Sequence, residues 1–472
     1  MNSLWSGLSL VPILQARVRG HMPVDVTGIS IDTRTLQPGD LFFAITGDTS
    51  DGHHYVRAAF EKGAAAAVIA QPHAERLAQT GPLYIVRDVL EALETLGRAA
   101  RARAQGQIIG VTGSVGKTST KEALRTVLGH FGQTHASLAS YNNHWGVPLT
   151  LARLPLSADF GVFEIGMNHA GEITQLVSMV QPHIAIITTV APVHLAQFDS
   201  VDAIAAAKAE IFSGLVPGGI SIIHADITQT PMLIDAAKAA GAGEILTFGK
   251  ADFANARLDS IELLPTSSTV HATIRGRSVS YGLGAPGEHQ ALNSLAVILA
   301  AECCGISLEH ILPVMQAIRP ETGRGSRLNL MLPQGKITVI DESYNANPAS
   351  MRAALALLGQ AQTGPRGRKI AVLRDMLELG EAGPALHAGL LEAVLEAKID
   401  KVFCAGPLMR NLYKALPEAL QGGYGETSAD LAELLKYMLT SGDVMMIKGS
   451  NGSKMGAIIA AFKSTFSFEN LS

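Results

Sequence analysis

The stretch Thr112-Gly113-Ser114-Val115-Gly116-Lys117-Thr118-Ser119 carries residue types that hold phosphate. Its glycines let backbone amides curl around phosphate oxygens, and Lys117 adds a full positive charge. Thr118 offers a hydroxyl to a metal ion. Before the stretch, Gln107-Ile108-Ile109-Gly110-Val111 reads as a short apolar strand. After it, Thr120 to Leu128 has the apolar spacing of a helix. Strand, glycine-rich loop and helix is the context such a loop needs, because the helix start contributes partial positive charge. The loop is a shortened form: Val111 stands where the common G-x-x-x-x-G-K-[ST] pattern has its first Gly. The spacing predicts a site for a triphosphate.

Further reactive side chains fall just past strand ends. Asp159 to Gly166 reads as a buried strand ending in Glu164, and Ile184 to Thr189 as another, followed by His194. A carboxylate and an imidazole at neighbouring strand ends are either structural residues or ligands of a metal ion beside the phosphates. Lys208 stands in a run of alanines within a helix expected over Ser200 to Phe212. It is either a lysine snorkelling from a packed helix or a lysine of the site. Near the N-terminus, Asp32-Thr33-Arg34 ends a strand, with Gly47 a little further on. That trio could hold a phosphate or a ribose, or simply form a turn with a local Asp–Arg pair. Later polar clusters are Asp341-Glu342-Ser343-Tyr344-Asn345-Ala346-Asn347-Pro348, Arg374-Asp375 and Lys448-Gly449-Ser450-Asn451-Gly452. Each follows a buried strand and belongs at the carboxyl edge of a sheet, where a ligand lies.

The elements that position these residues alternate between strand and helix, which predicts an α/β protein with largely parallel sheets. A length of 472 residues suggests about three domains. We place them at 1–105, 106–320 and 321–472, the last beginning after the Gly/Arg-rich joint Pro320-Glu321-Thr322-Gly323-Arg324-Gly325-Ser326-Arg327. The segment from Arg257 to Tyr281 reads as a small antiparallel insert, and Gln290 to Cys304 as a helix carrying Asn293 near its start. Gly is abundant at 47 residues and aromatics are few at 5%, which suits close-packed α/β layers. The net charge of −4 leaves no basic stripe for nucleic acid. With 3 cysteines, neither a disulfide framework nor a zinc site is expected, which fits a reducing cytoplasm. No apolar run is long enough to span a membrane. The N-terminus lacks the basic start of a secretory signal.

Taken together, these motifs resemble the Mur ligase family, and within it the MurF branch, over nearly the whole chain. The resemblance implies three α/β domains. These are a small N-terminal UDP-binding domain, a central P-loop-type ATPase domain with a mostly parallel sheet, and a C-terminal Rossmann-like doubly wound domain. It implies a monomeric, cytoplasmic, ATP-dependent ligase of peptidoglycan precursor synthesis. Such an enzyme adds D-alanyl-D-alanine to UDP-N-acetylmuramoyl-tripeptide through an acyl phosphate, releasing ADP and phosphate. By the same resemblance Thr112, Gly113, Ser114, Val115, Gly116, Lys117, Thr118 and Ser119 bind ATP, with Asn293 on the adenine. Thr118, Glu164 and His194 match magnesium ligands, and Lys208 matches a lysine carried as a carbamate that binds a second magnesium. Arg324 matches a hinge arginine near the phosphates, and Asp341 falls on the nucleotide side. Asp32, Thr33, Arg34 and Gly47 would hold the UDP part, and Asn345 and Asn347 the substrate side. Lys117, Lys208, His194 and Arg324 would carry catalysis.

One departure stands out. The branch usually reads Val-Leu-Gly-Asp-Met-Leu-Glu-Leu-Gly where this chain has Val372-Leu373-Arg374-Asp375-Met376-Leu377-Glu378-Leu379-Gly380. Arg for Gly adds bulk and charge at a strand end where backbone approaches a ligand. Rival readings are a sibling ligase or folylpolyglutamate synthase, a small-molecule kinase or ATPase, and a nucleotide-sensing protein without catalysis. The UDP-type N-terminal domain argues against the folate enzyme, and the Ser343-Tyr344-Asn345-Ala346-Asn347-Pro348 stretch against the siblings.

Overall fold

The computed structural model describes residues 3–138, 140–192, 197–333 and 335–471. Three large sheets follow one another along the chain, beside a two-stranded pairing of Trp5–Ser6 with Asp25–Val26. The first has 5 strands in the order Arg17–Arg19, Leu83–Val86, Ala66–Ala70, Asp40–Phe43, Gly28–Ser30. All its pairs are parallel except the first. Its central strands are apolar on both faces, as buried parallel strands must be.

The helix Val89–Arg103 fixes this unit to the next. It starts where the Asp88 side chain accepts from the Glu91 amide at 2.9 Å. Its buried face (Val89, Leu93, Leu96, Ala100) packs against the helix Gly146–Ala152. Gly97 allows the close approach, since a Cβ there would lie 3.2 Å from Leu151 Cβ. Arg101 Nε donates to the Val180 carbonyl at 2.8 Å, and the Arg103 guanidinium lies 3.5 Å over the Trp5 ring. One hydrophobic core therefore runs through Leu93, Leu96, Ile108, Val147 and Ile173.

The second sheet has 9 strands, ordered Arg277–Leu283, Ser268–Ile274, Ala256–Leu263, Glu244–Gly249, Ile220–His224, Ile184–Ile187, Gln107–Thr112, Phe160–Glu164, Thr134–Ala136. The antiparallel insert expected near residues 257–281 is present as two hairpin pairings that extend the sheet edge. Gln107–Thr112 lies between Ile184–Ile187 and Phe160–Glu164, so the chain passes to either side of it. That switch of direction opens a crevice at the carboxyl ends of the strands. The helix Glu288–Cys303 packs beneath, its Leu295 and Ile298 in one core with Val111 and Leu124.

The third sheet has 7 strands, ordered Gln421–Gly425, Lys401–Ala405, Lys369–Arg374, Val444–Lys448, Gly335–Glu342, Ser326–Leu332, Ser467–Leu471. Its pairings are parallel up to Gly335–Glu342 and antiparallel beyond, with a core on each face. Gly383–Ala388 and Leu390–Glu396 are two short helices divided at Gly389, where a mid-helix Gly would cost about 1 kcal/mol. One helix differs from expectation, that over Ser200 to Phe212. The α-helix Val201–Ala209 tightens into a 3-10 turn over Glu210–Gly214. There the Glu210 carboxylate accepts from the amides of Gly171 at 2.7 Å and Thr174 at 3.0 Å.

Candidate active site

Strand register sets the heart of the site. Glu164 pairs with Val111, and Ile187 with Thr112, so the phosphate loop, Glu164 and Thr188 leave the sheet side by side. The loop is held by its neighbours. Thr188 Oγ1 donates to the Val115 carbonyl at 2.6 Å, and the Ser114 amide donates to the Thr189 carbonyl at 2.8 Å. Gly113 has φ +147°, and a Cβ there would lie 2.0 Å from Thr188 Oγ1. Gly116 has φ +91° directly before the helix Lys117–Leu128, and a Cβ there would lie 2.9 Å from Asn293 Nδ2. Asn293 thus sits against the loop. Gly113→Ala is expected to weaken ATP binding about fivefold or more by opening the loop, since strain of this kind costs roughly 1–3 kcal/mol. Titration with a non-hydrolysable ATP analogue measures it.

Lys117 Nζ donates to the Gly113 carbonyl at 2.6 Å. Its pKa is lowered, chiefly by removal from water; the Glu164 carboxylate opposes this and Arg324 adds to it. Glu164 is 1% exposed, and its Oε1 accepts from Asn142 Nδ2 at 2.7 Å. Its Oε2 is buried with no hydrogen-bond partner among the described residues. A buried carboxylate oxygen without a donor costs free energy unless a cation meets it. Thr118 Oγ1 lies 3.2 Å from Ser140 Oγ, and both residues line the same cleft as Glu164. Hard oxygen ligands of this kind suit magnesium. Lys208, 2% exposed, has its pKa pushed well down, first by burial and then by the charge of Lys117. The expected histidine, His194, lies outside the described residues.

The cleft is about 650 Å³ and is walled on its far side by the third sheet. Glu342, Tyr344, Asn345, Asn347, Leu377, Glu378, Lys448, Ser450 and Asn451 face into it. Lys448 Nζ ties this wall together, reaching Glu342 Oε2 at 3.1 Å and the Asn345 carbonyl at 3.0 Å. Asn347 caps the helix Pro348–Gln360 by accepting from the Ser350 amide at 2.8 Å. Arg324 lies at the joint, 4.2 Å over the Tyr344 ring and 3.8 Å from Glu321. His289 also lines the cleft, its pKa lowered by burial against the pull of Glu342.

Lys208 is not among the residues lining the cleft, and two further groups of candidate residues lie elsewhere. Asp341 turns away from the cleft wall: its carboxylate accepts from the Gly323 amide at 3.0 Å and from Ser343 Oγ at 2.6 Å. It holds the joint that carries Arg324. Asp32 forms the local pair with Arg34, its Oδ2 2.6 Å from Nη2, which lowers the Asp32 pKa. That turn and Gly47 border the first sheet; a Cβ on Gly47 would lie 2.5 Å from the Trp145 ring. Sequence reasoning missed Ser140, Asn142, Thr188 and His224, all on the cleft wall. Only the polar run Tyr141-Asn142-Asn143-His144 could have drawn attention to the first two.

Comparison with known proteins places this arrangement. Three family models match in sequence: "Mur ligase family, catalytic domain" over 25–102, "Mur ligase middle domain" over 111–301 and "Mur ligase, glutamate ligase domain" over 326–451. A curated protein of Rickettsia prowazekii named UDP-N-acetylmuramoyl-tripeptide–D-alanyl-D-alanine ligase is 31% identical over 97% of this chain and 99% of its own length. The chain belongs to the Mur ligase family. The Mur ligase of the same name from Escherichia coli is 32% identical, covering 96% of this chain and 97% of that one. A crystal structure of MurF from Acinetobacter baumannii superposes with a TM-score of 0.83 at 29% identity, over 98% of this chain and 99% of that one. A folylpolyglutamate synthase of Mycobacterium tuberculosis, at 16% identity and a TM-score of 0.63, shares the fold over 79% of this chain. No helix among the described residues is long and apolar enough to cross a membrane.

Proposed function

We propose that this Mur ligase joins D-alanyl-D-alanine to UDP-N-acetylmuramoyl-tripeptide at the expense of ATP. The observation that carries the reading is that Lys117 and a Glu164 oxygen with no hydrogen-bond partner among the described residues line one cleft beside the phosphate loop, walled by a second sheet. Near-full-length likeness to ligases of that name supports it. The tripeptide carboxylate attacks the γ-phosphorus of ATP, the bond to the β-phosphate oxygen breaks, and ADP leaves. The amine of the dipeptide then attacks the acyl carbon, inorganic phosphate leaves, and the amine loses its proton as the amide forms.

Loop amides and Lys117 hold the phosphates, and their donors are fixed before charge develops. Asn293 borders the adenine side. Thr118 and Glu164 are the residues that would hold magnesium, with His194 as a further ligand; the ion supplies charge neutralisation on phosphate oxygens. Lys208 would act as a carbamate, which needs a neutral amine, and burial beside Lys117 favours that form. Arg324, stacked on Tyr344 and held by the Asp341 joint, would close on the phosphates and keep the acyl phosphate from water. The UDP part would lie along Asp32, Thr33, Arg34 and Gly47, and Asn345 and Asn347 would border the peptide. A monomer in the cytoplasm suits these soluble substrates.

Phosphate release from ATP and magnesium, measured with the tripeptide substrate with and without D-alanyl-D-alanine, tests the reading. Release that needs both, with a product carrying the dipeptide, is the expected result. Release indifferent to the dipeptide moves the function to a sibling ligase or a kinase. Glu164→Gln keeps an acceptor for Asn142 but removes the charge. It is expected to raise the magnesium needed for half-maximal turnover about tenfold or more, read from a metal titration.

A further inference from the structure

Arg374 ends the strand Lys369–Arg374 at the carboxyl edge of the third sheet. Its side chain runs along that edge behind the cleft wall. Nη1 donates to Ser428 Oγ at 2.8 Å and also to the Ser453 carbonyl. Ser428 Oγ donates to the same carbonyl at 2.8 Å. From Ser453 the connections continue into the cleft. Ser453 Oγ donates to the Ser450 carbonyl, and Ser450 Oγ accepts from the Leu377 amide at 2.9 Å and donates to the Ala346 carbonyl at 3.3 Å. The turn is packed directly on the arginine: a Cβ on Gly449 would lie 3.0 Å from Arg374 Cβ.

Stability alone does not account for this side chain. Arg374 Nε is buried without a partner among the described residues, and an unsatisfied buried donor costs about 1–3 kcal/mol. The start of the helix Ser428–Met438 is already capped by Thr427, whose side chain accepts from the Asp430 amide. What the arginine adds is a charged cross-link at the root of a shaped wall. Within that wall Glu378 holds left-handed backbone, with φ +63°, a conformation that persists only where surrounding contacts fix it. Leu377, Glu378, Leu379, Ser450, Asn451 and Gly452 form the part of the cleft lining next to this network. Among the described residues, none of its hydrogen bonds reaches the phosphate loop, Asn293 or Arg324, the nucleotide side of the cleft.

We propose that Arg374 is a positioning residue for the acceptor amine. It anchors the 449–453 turn so that the wall of 377–379 and 450–452 is preformed to bind D-alanyl-D-alanine. This inference rests on the ligase reading above. A preformed wall lowers the ordering cost of binding the dipeptide and leaves nucleotide binding untouched.

Steady-state kinetics of Arg374→Ala and Arg374→Lys, each substrate varied in turn, test the proposal. In Arg374→Ala the KM for D-alanyl-D-alanine is expected to rise about tenfold, with the KM for ATP held within about twofold, since both charge-assisted hydrogen bonds of Nη1 are lost and only part of that loss reaches the dipeptide. Arg374→Lys keeps a cationic donor for the Ser453 carbonyl and is expected to recover part of the loss. An unchanged dipeptide KM, or an equal rise for ATP, overturns the proposal, even where the melting temperature falls. Wild-type turnover that ignores the dipeptide would instead sink the ligase reading itself, so the two failures are distinguishable.

Discussion

Lys117→Ala is expected to lower ATP turnover by about a thousandfold or more, because the phosphates lose a fixed cation within the loop. The side chain is positioned in advance of the nucleotide. Its Nζ is 2.6 Å from the Gly113 carbonyl, and its pKa is lowered mainly by loss of water. A crowded ammonium gives up hydration that phosphate oxygens restore, so its attraction to ATP is strong. The fold should survive, since the helix Lys117–Leu128 is set by its buried face of Ala123, Leu124, Val127 and Leu128. Single-turnover phosphate release, alongside thermal melting, separates loss of chemistry from loss of structure. Near-normal turnover in a folded variant would remove Lys117 from the nucleotide site.

Lys208→Ala should be comparably inactive, and partly restored by a short carboxylate such as formate in the buffer. The rescue follows from the proposed carbamate: the anion replaces the charge that the modified lysine would supply. Folding stability gives an independent readout. Burial holds the Lys208 pKa well below 10.5, so the folded chain binds fewer protons than the unfolded chain up to that value. Stability contributed by this group therefore rises with pH from the lowered pKa up to about 10.5, and is lost as pH falls through that window. Lys208→Ala is expected to flatten this rise in a series of denaturant titrations across pH. Full activity without added carboxylate would exclude a carbamate role, and an unaltered pH slope would mean that Lys208 does not titrate as a buried free amine.

Neither result depends on residues that sequence reading missed, and the reason is local. Lys117 opens a helix just after a strand and Glu164 ends a strand, both within short motifs, and Lys208 sits among alanines that allow tight packing. Residues 140–142 are different. They lie on a loop between Thr134–Ala136 and the helix Gly146–Ala152, and only the fold brings Asn142 within 2.7 Å of Glu164. Arg374 shows the same limit. Its place in the strand is plain from spacing, but its partners Ser428 and Ser453 are 54 and 79 residues away.

By itself the sequence determined the elements and the chemistry they carry. Alternating apolar runs and helical spacing specify α/β layers, and a glycine pair before Lys117 specifies a phosphate loop, because each depends on neighbours along the chain. Tertiary structure alone decided which polar groups share the cleft. It turned Asp341 onto the Gly323 amide, paired Asp32 with Arg34 and left one oxygen of Glu164 without a donor among the described residues. A side chain's role depends on burial and on partners far away in sequence, and strand order and register fix those distances.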